Sequence, residues 1–318
     1  MGYVVAADLG GTQIKSGLVA PDGTLTRATS TPTGRVHGWR VVVETLVAVV
    51  ETQLVDAAAT TGEAPVAVGI VVPGLVDEDR GVGVHSTNLG WRDVMLRELL
   101  GERLGLPVVV GQDVRAGGLA EAVLGAGRGA ASTLFVPLGT GIGSAYVTNG
   151  RVDGGASWRA GEVGHIVVNP AGPQCACGQR GCLEALASAS AIERRYAAIG
   201  PDRVTAEQVA ARVRDGQPTA IAIWTDAVAA LATGLAIATL LLDPAVVVVG
   251  GGLSRAGETL LGPLRTALAD RFTFRDAPEI RTAALGEWAG CHGAGLLAAR
   301  SAQAVHRITV PSIEGDAA

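Results

Sequence analysis

Charge is scarce in this chain: Asp, Glu, Lys and Arg make up 17% of its 318 residues, against 48% hydrophobic. That balance excludes a tail-rich or disordered protein, because such chains are poor in apolar residues. The 25 basic and 30 acidic residues leave a net charge of -5, and the basic ones are scattered apart from short clusters such as Glu193 to Arg195. No basic stripe able to neutralise a phosphate backbone results, so no nucleic-acid partner is expected. Cysteine is sparse too, at four residues. That count excludes the dense disulfide framework of a small secreted domain. No basic, hydrophobic leader precedes the first strand-like run at Tyr3, so the expected location is the cytoplasm. Long apolar runs are missing as well: GLAIATLLL and AVVVVGGG are split by Asp243 and Pro244 and are too short to span a bilayer. No membrane partner is expected.

Glycine is plentiful, at 45 residues, which implies many tight turns and close backbone approaches. The length suits two domains, each with its own core. From Tyr3, YVVAADLGGTQIKSGLVAPDGTLTRATS reads as three short strands, a β-meander opening on a glycine turn. A helix is predicted from about Trp39 to Thr60, then the buried-type strand VAVGIVV, a helix from Asp93 to Arg103, and the strand PVVVGQD running into the helix VRAGGLAEAVL. A second series starts at STLFVPLGTGIGSAYVTNGRV and repeats the opening shape of strand, Leu-Gly turn with threonine, alternating strand and glycine turn. This reads as a degenerate duplication, giving two α/β lobes that would face each other across a cleft. Helices are expected in CLEALASASAIERRYAA, TAEQVAARVR and PTAIAIWTDAVAALATGLAIATLLL, followed by the strand AVVVVGGG. A last helix, from about Trp288 to Ala304, is expected to cross back to the first lobe, and the polar ending ITVPSIEGDAA to fray. The expected domains are 1–115, joined by 288–318, and 116–287.

Three glycine turns each follow an apolar strand. Asp8 to Thr12, DLGGT, sets a carboxylate at a strand end beside backbone N–H groups, which suits a phosphate chain with Mg2+ next to it. LGTGIG, Leu138 to Gly143, offers the same device, and GGGLS, Gly250 to Ser254, could lay an adenosine against bare backbone. Singly, each could be an ordinary structural turn; together they point to a nucleotide. A Rossmann site fits poorly, because neither GTGIG nor GAGRG matches G-x-G-x-x-G and the turn after Leu9 leads into a strand. The Walker pattern is absent.

In GEVGHIVVNPAGPQCACGQRGCLE, Cys175, Cys177, Cys182 and His165 have the donor set of a closed tetrahedral zinc site. Free thiols or a disulfide are the alternative, and Cys291 reads as a core residue. Glu162 and Glu184 bracket the cluster. They could accept from several hydroxyls while a metal-bound histidine offers its other nitrogen, making a rigid platform for a polyol; helix capping or plain surface exposure is the alternative. Asp113, at a strand's C-terminal mouth, could be a general base or a helix N-cap. Asn88, in TNLGW, could bond sugar hydroxyls or be a turn asparagine.

In order along the chain, DLGGT, VPG, TNLGW, QDVRA, LGTGIG, GEVGH, CACGQRGCLE and GGGLS resemble the ROK family of repressors, open reading frames and sugar kinases. The resemblance implies an α/β fold of two actin-like (ribonuclease H-like) lobes with a central cleft. It implies an ATP-dependent kinase acting on the 6-hydroxyl of a hexose, with Mg2+ and a structural zinc. Carried over by motif, Asp113 is the base; Gly74, Asn88, Glu162, His165 and Glu184 adjoin the sugar; His165, Cys175, Cys177 and Cys182 hold zinc. Asp8, Gly10, Gly11, Thr12, Thr140, Gly141, Gly250, Gly251 and Gly252 belong to the nucleotide. A homodimer is the family expectation. Family repressors carry a helix-turn-helix ahead of the first strand, for which a strand starting at Tyr3 leaves no room, so the kinase is expected over a sugar-sensing regulator. One departure stands out: Gln112 in GQD replaces the asparagine of the usual END, moving the amide outward by a methylene. If that amide faces the ligand, contacts near the 3- or 4-hydroxyl differ. Glucose is the default substrate; kanosamine, an amino-hexose altered at C3, and N-acetylhexosamines are the alternatives.

Overall fold

The computed structural model describes residues 2–199 and 203–309. The ending expected to fray lies, from residue 310 on, outside the described residues. Two compact units divide the chain: one runs to Ala120 and resumes at Trp288, and the other spans Glu121–Glu287.

The first unit opens with β1 (Val4–Leu9), β2 (Gln13–Val19) and β3 (Leu25–Pro32), paired antiparallel in sequence. After α1 (Trp39–Thr61), β4 (Ala67–Val72) pairs parallel to β1. A small antiparallel sheet follows, of β5 (Leu75–Asp77), β6 (Val82–Ser86) and β7 (Trp91–Val94). Then come α2 (Leu96–Leu104), β8 (Val108–Gln112), parallel to β4, and α3 (Asp113–Val123), inside which the boundary between the units falls. The main sheet has the order β3-β2-β1-β4-β8. Because side chains alternate along a strand, Val5, Ala7 and Leu9 of β1 pack with Val42, Leu46 and Val50 of α1, while Val4 and Ala6 face the other way.

The second unit repeats this plan. β9 (Ser132–Pro137), β10 (Ala145–Thr148) and β11 (Arg151–Val152) form its antiparallel meander. The helices α4 (Leu183–Ala187), α5 (Ala189–Ala197), α6 (Ala206–Arg214) and α7 (Pro218–Leu242) precede β12 (Val246–Gly250), which lies parallel to β9. α8 (Glu258–Ala269) leads to β13 (Glu279–Thr282), parallel to β12. The order β11-β10-β9-β12-β13 has the pairing directions of the first sheet, so the repeated shape of the two opening segments is a repeat of topology.

Several elements differ from the sequence reading. The helix expected from Asp93 begins at Leu96; Asp93 instead lies in β7, where Trp91 is 2% exposed and the strand pairs with β6. Burying that indole in a sheet outweighs the helical character of the next residues. CLEALASASAIERRYAA breaks into α4 and α5 at Ser188, whose extended backbone and side chain cap α5 by accepting from Ala191 N at 3.1 Å. β5, β6 and β13 have no counterpart in that reading, whereas α8 is the helix expected after GGGLS. α7 is the helix expected in PTAIAIWTDAVAALATGLAIATLLL, but its 25 residues are, by length and composition alone, long and apolar enough to cross a membrane, where runs too short are expected. Its inward residues, among them Ile223, Trp224, Leu231 and Leu235, are packed in the unit's core.

The last helix, α9 (Ala289–Thr309), returns to the first unit and covers the face of β1 and β4 left by α1, with Ala294 and Ala298 against Val4, Ala6 and Val71. Its small residues set that distance. A Cβ on Gly69 of β4 would collide with the Ala294 carbonyl, and one on Gly293 would collide with the Ala116 carbonyl of α3. Within an exposed helix, Gly→Ala gains about 1 kcal/mol. At Gly293 the collision reverses the sign: Gly293→Ala is expected to lower stability by about 1–3 kcal/mol, measured as a reduced urea midpoint.

Candidate active site

Asp8 is the penultimate residue of β1, and on the neighbouring strand it faces Lys15, the chain's one lysine. Gly10 turns the chain at once, donating its N–H to Gln13 O at 2.9 Å. Bare backbone is needed on the helix side as well, because a Cβ on Gly290 of α9 would strike the Asp8 carboxylate. Burial pushes the Asp8 carboxyl up to about 6, and the charge of Lys15 opposes the rise. A Cβ on Gly11 would find Asn88 Cβ at 3.9 Å and Arg35 Nη1 at 4.0 Å, so the exposed turn holding Asn88, between β6 and β7, reaches the neighbourhood of the DLGGT turn. Thr12 is exposed beside it. Gly74 has φ +103° and passes so close to β6 that a Cβ would collide with the His85 carbonyl. Packing alone therefore requires glycine there.

Asp113 is the first residue of α3 and remains partly accessible. Burial, and second the carboxylate of Asp8, push its carboxyl up to about 7; Val114 N–H and the charge of Arg115 pull the other way. Its Oδ1 accepts from Val114 N at 2.8 Å and from Gln112 Nε2 at 2.7 Å. Behind it stand two residues that sequence reading missed. Glu78 Oε1 accepts from Gln112 N at 3.0 Å and from Arg115 Nε at 2.7 Å, and Arg115, 5% exposed, also donates to Val76 O at 3.2 Å. No local pattern in VDEDR marks Glu78 as their partner, 37 residues from Arg115.

The second unit gathers the other candidates. His165 Nδ1 lies 3.7 Å from Cys175 Sγ, Cys177 Sγ lies 3.6 Å from Cys182 Sγ, and all four donor atoms fall within 4.8 Å of one another. Ligands about 2.3 Å from a tetrahedral zinc ion stand about 3.8 Å apart, so the cage has the dimensions of such a site. The chemistry fits too. Burial pushes the Cys182 thiol up to about 12, so a fully ionised thiolate set requires a bound cation in compensation. With Nδ1 turned to the sulfurs, His165 Nε2 points outward, 4.0 Å from Glu162 Oε2.

Cys182 is the N-cap residue of α4, which places Glu184 in that helix's first turn. Glu184 Oε2 accepts from Ile142 N at 2.9 Å and lies so near Gly141 that a Cβ there would come within 2.5 Å of it. The cysteine cluster and the LGTGIG turn are thus tied through one carboxylate. That turn is tied in the other direction to the GGG turn: Leu138 N donates to Gly250 O at 2.9 Å and Leu253 N to Leu138 O at 3.0 Å. Gly251, at φ +75°, leaves no room for a Cβ against the Leu138 backbone. Thr140, Gly141, Glu184 and Gly250 to Gly252 therefore form one connected surface. The Ile142 contact was not foreseen, since it joins residues 42 apart.

A family model described as the ROK family matches residues 4–301. A glucokinase of Thermotoga maritima is 37% identical over 312 residues, covering 92% of this chain and 95% of the relative. Among solved structures, the ROK hexokinase from Thermus thermophilus superposes with a TM-score of 0.81 at 36% identity, covering 95% of this chain and 99% of that one. A ROK family glucokinase from Streptomyces griseus, solved in complex with glucose and AMPPNP, gives a TM-score of 0.80 at 30% identity over 94% of this chain and 100% of that one. The two-sheet architecture described above is the actin-like ATPase fold of these proteins.

Glu184→Ala would leave the N–H of Ile142, itself 3% exposed, without its acceptor. An orphaned buried donor costs about 1–3 kcal/mol, and a loss of that size in chemical denaturation is expected.

Proposed function

The chain belongs to the ROK family, and from that premise we propose that it is an ATP-dependent hexose kinase, transferring the γ-phosphoryl group to the 6-hydroxyl of glucose or a glucose-like sugar. The observation that carries this reading is the state of Asp113. Phosphoryl transfer to an alcohol needs a group that orients the hydroxyl and takes its proton, and such a group works best with a pKa near the operating pH. Asp113 is a partly accessible carboxyl pushed up to about 7. Its Oδ1 is held by two N–H donors, and among the described residues no donor is bonded to Oδ2. In this reading Oδ2 accepts the proton.

The remaining roles are those that the family resemblance implies. Asn88, Glu162, Glu184 and the outward Nε2 of His165 are the groups that bond sugar hydroxyls, with Gly74 close by. Asp8, Gly10, Gly11, Thr12, Thr140, Gly141 and the Gly250–Gly252 turn belong to ATP. Mg2+ bound with the nucleotide would neutralise phosphate charge as it shifts toward the leaving oxygen. Zinc on His165, Cys175, Cys177 and Cys182 would be structural, holding the His165 ring and the start of α4. A cytoplasmic homodimer is the form expected of the enzyme. An amino-hexose such as kanosamine is the second substrate reading, favoured by Gln112 standing where the family usually has asparagine; N-acetylhexosamines are a third.

The direct test is ADP release with Mg-ATP across glucose, kanosamine, mannose, N-acetylglucosamine and N-acetylmannosamine, compared as kcat/KM. Glucose is expected to lead; stimulation by none of them would favour a sugar-sensing regulator. Because protonated Asp113 cannot accept a proton, kcat/KM should fall as pH drops through about 7. Asp113→Asn should remove that acid limb and about 10²–10⁴-fold of turnover while sugar binding persists. Cys177→Ser is expected to abolish zinc retention by elemental analysis and to lower melting temperature and sugar affinity together.

A further inference from the structure

Gln112 occupies the position from which the family's asparagine would read the sugar, yet its amide in this chain is turned to other work. Its Oε1 accepts from Arg115 N at 2.8 Å, the bond an N-cap makes to the third residue of a helix. That bond fixes the plane of the amide, and Nε2 on its other side then donates to Asp113 Oδ1 at 2.7 Å. The backbone is pinned as well, by the bond from Gln112 N to Glu78 Oε1 at 3.0 Å, and the same oxygen holds the buried Arg115 at 2.7 Å. Glutamine, helix cap and base thus form one connected polar network anchored on the loop between β5 and β6.

We propose that Gln112 is a positioning residue for the base Asp113, holding Oδ1 so that Oδ2 is the oxygen presented to the substrate hydroxyl, and that it is not a reader of the 3- or 4-hydroxyl of the sugar. The proposal rests on the reading of Asp113 as the base. It assigns selectivity among hexoses to Asn88, Glu162, His165 and Glu184, and it removes the main ground for expecting kanosamine. The charged groups acting on Asp113 are Asp8 from β1 and Arg115 from α3; Glu78 acts through Arg115 and Gln112.

The experiment compares wild type, Gln112→Leu and Gln112→Glu in kcat and KM for glucose, 3-deoxyglucose and 4-deoxyglucose, over pH values on both sides of neutrality. Removing a hydrogen bond to a charged group is expected to lower kcat for Gln112→Leu about tenfold to a hundredfold. KM should stay within about twofold, since the lost contact is not to the sugar. The loss should be the same factor for all three sugars, and the acid limb should move to higher pH. Gln112→Glu keeps an acceptor for Arg115 N and sets a second carboxyl against Asp113, so its acid limb should move up by about one unit or more. A loss residing in KM, or vanishing for one deoxy sugar, would overturn the proposal by showing that Gln112 bonds the missing hydroxyl. Should Gln112→Leu fail to fold, Gln112→Glu decides: an unmoved acid limb in the folded variant sinks the idea. A wild type that phosphorylates no hexose would count against the kinase reading instead. In that event, carboxyl ¹³C NMR titration of Asp113 in wild type and Gln112→Glu still reads the contact, an upward shift supporting it and no shift overturning it.

Discussion

A carboxylate at the end of a buried parallel strand has little water to spread its charge, and the first unit places two of them in one neighbourhood. Asp8 is one residue from the end of β1 and Asp113 follows β8, with β4 between those strands in the sheet. Each is raised by burial, and the charge of Asp8 raises Asp113 further. Such a pair persists only where the structure around it is rigid and supplies compensation. Lys15 opposite Asp8, the bare backbone of Gly290, and the Glu78–Arg115–Gln112 network behind Asp113 are that compensation. The same repulsion that makes the arrangement costly brings a carboxyl into the range where it can act as a base near neutrality.

The second unit solves a different problem. Its functional candidates sit on turns and on short helical segments, which have little rigidity of their own. The cysteine cluster draws residues 165 to 182 to one centre, and Glu184, two residues on, reaches the LGTGIG turn. Leu138 then joins that turn to the GGG turn. Gly234 on α7 completes the support: a Cβ there would come within 2.6 Å of Leu183 Cδ2, so α4 beds directly on the long core helix. Position passes from the metal-type cage through a carboxylate to the glycine turns, each step by short hydrogen bonds or close packing.

What could be read along the chain depended on the range of the forces involved. The strands VVAADL, AVGIVV and VVVVG announce themselves because full burial demands continuous apolar runs. The cysteine spacing announces its cage because a tetrahedral set closes over few residues. Asp93 was misread because its strand owes its existence to β6 and to the buried Trp91, neither of which leaves a helix-breaking mark nearby. The short β5 and β13 fell below the length at which alternation is visible.

By itself the sequence determined the inventory: two α/β series of the same shape, glycine turns after apolar strands, a closed thiol and imidazole set, and a carboxylate where a strand meets a helix. Those are matters of periodicity and close spacing, which side-chain geometry reads over a few residues. Tertiary structure alone decided the partners. Folding brought Glu78 and the N-terminus of α3 around Gln112, and the backbone of Ile142 to one oxygen of Glu184. A buried polar group must be bonded to whatever the fold places beside it, and that neighbour is chosen by chain topology over tens of residues, where sequence spacing carries no signal.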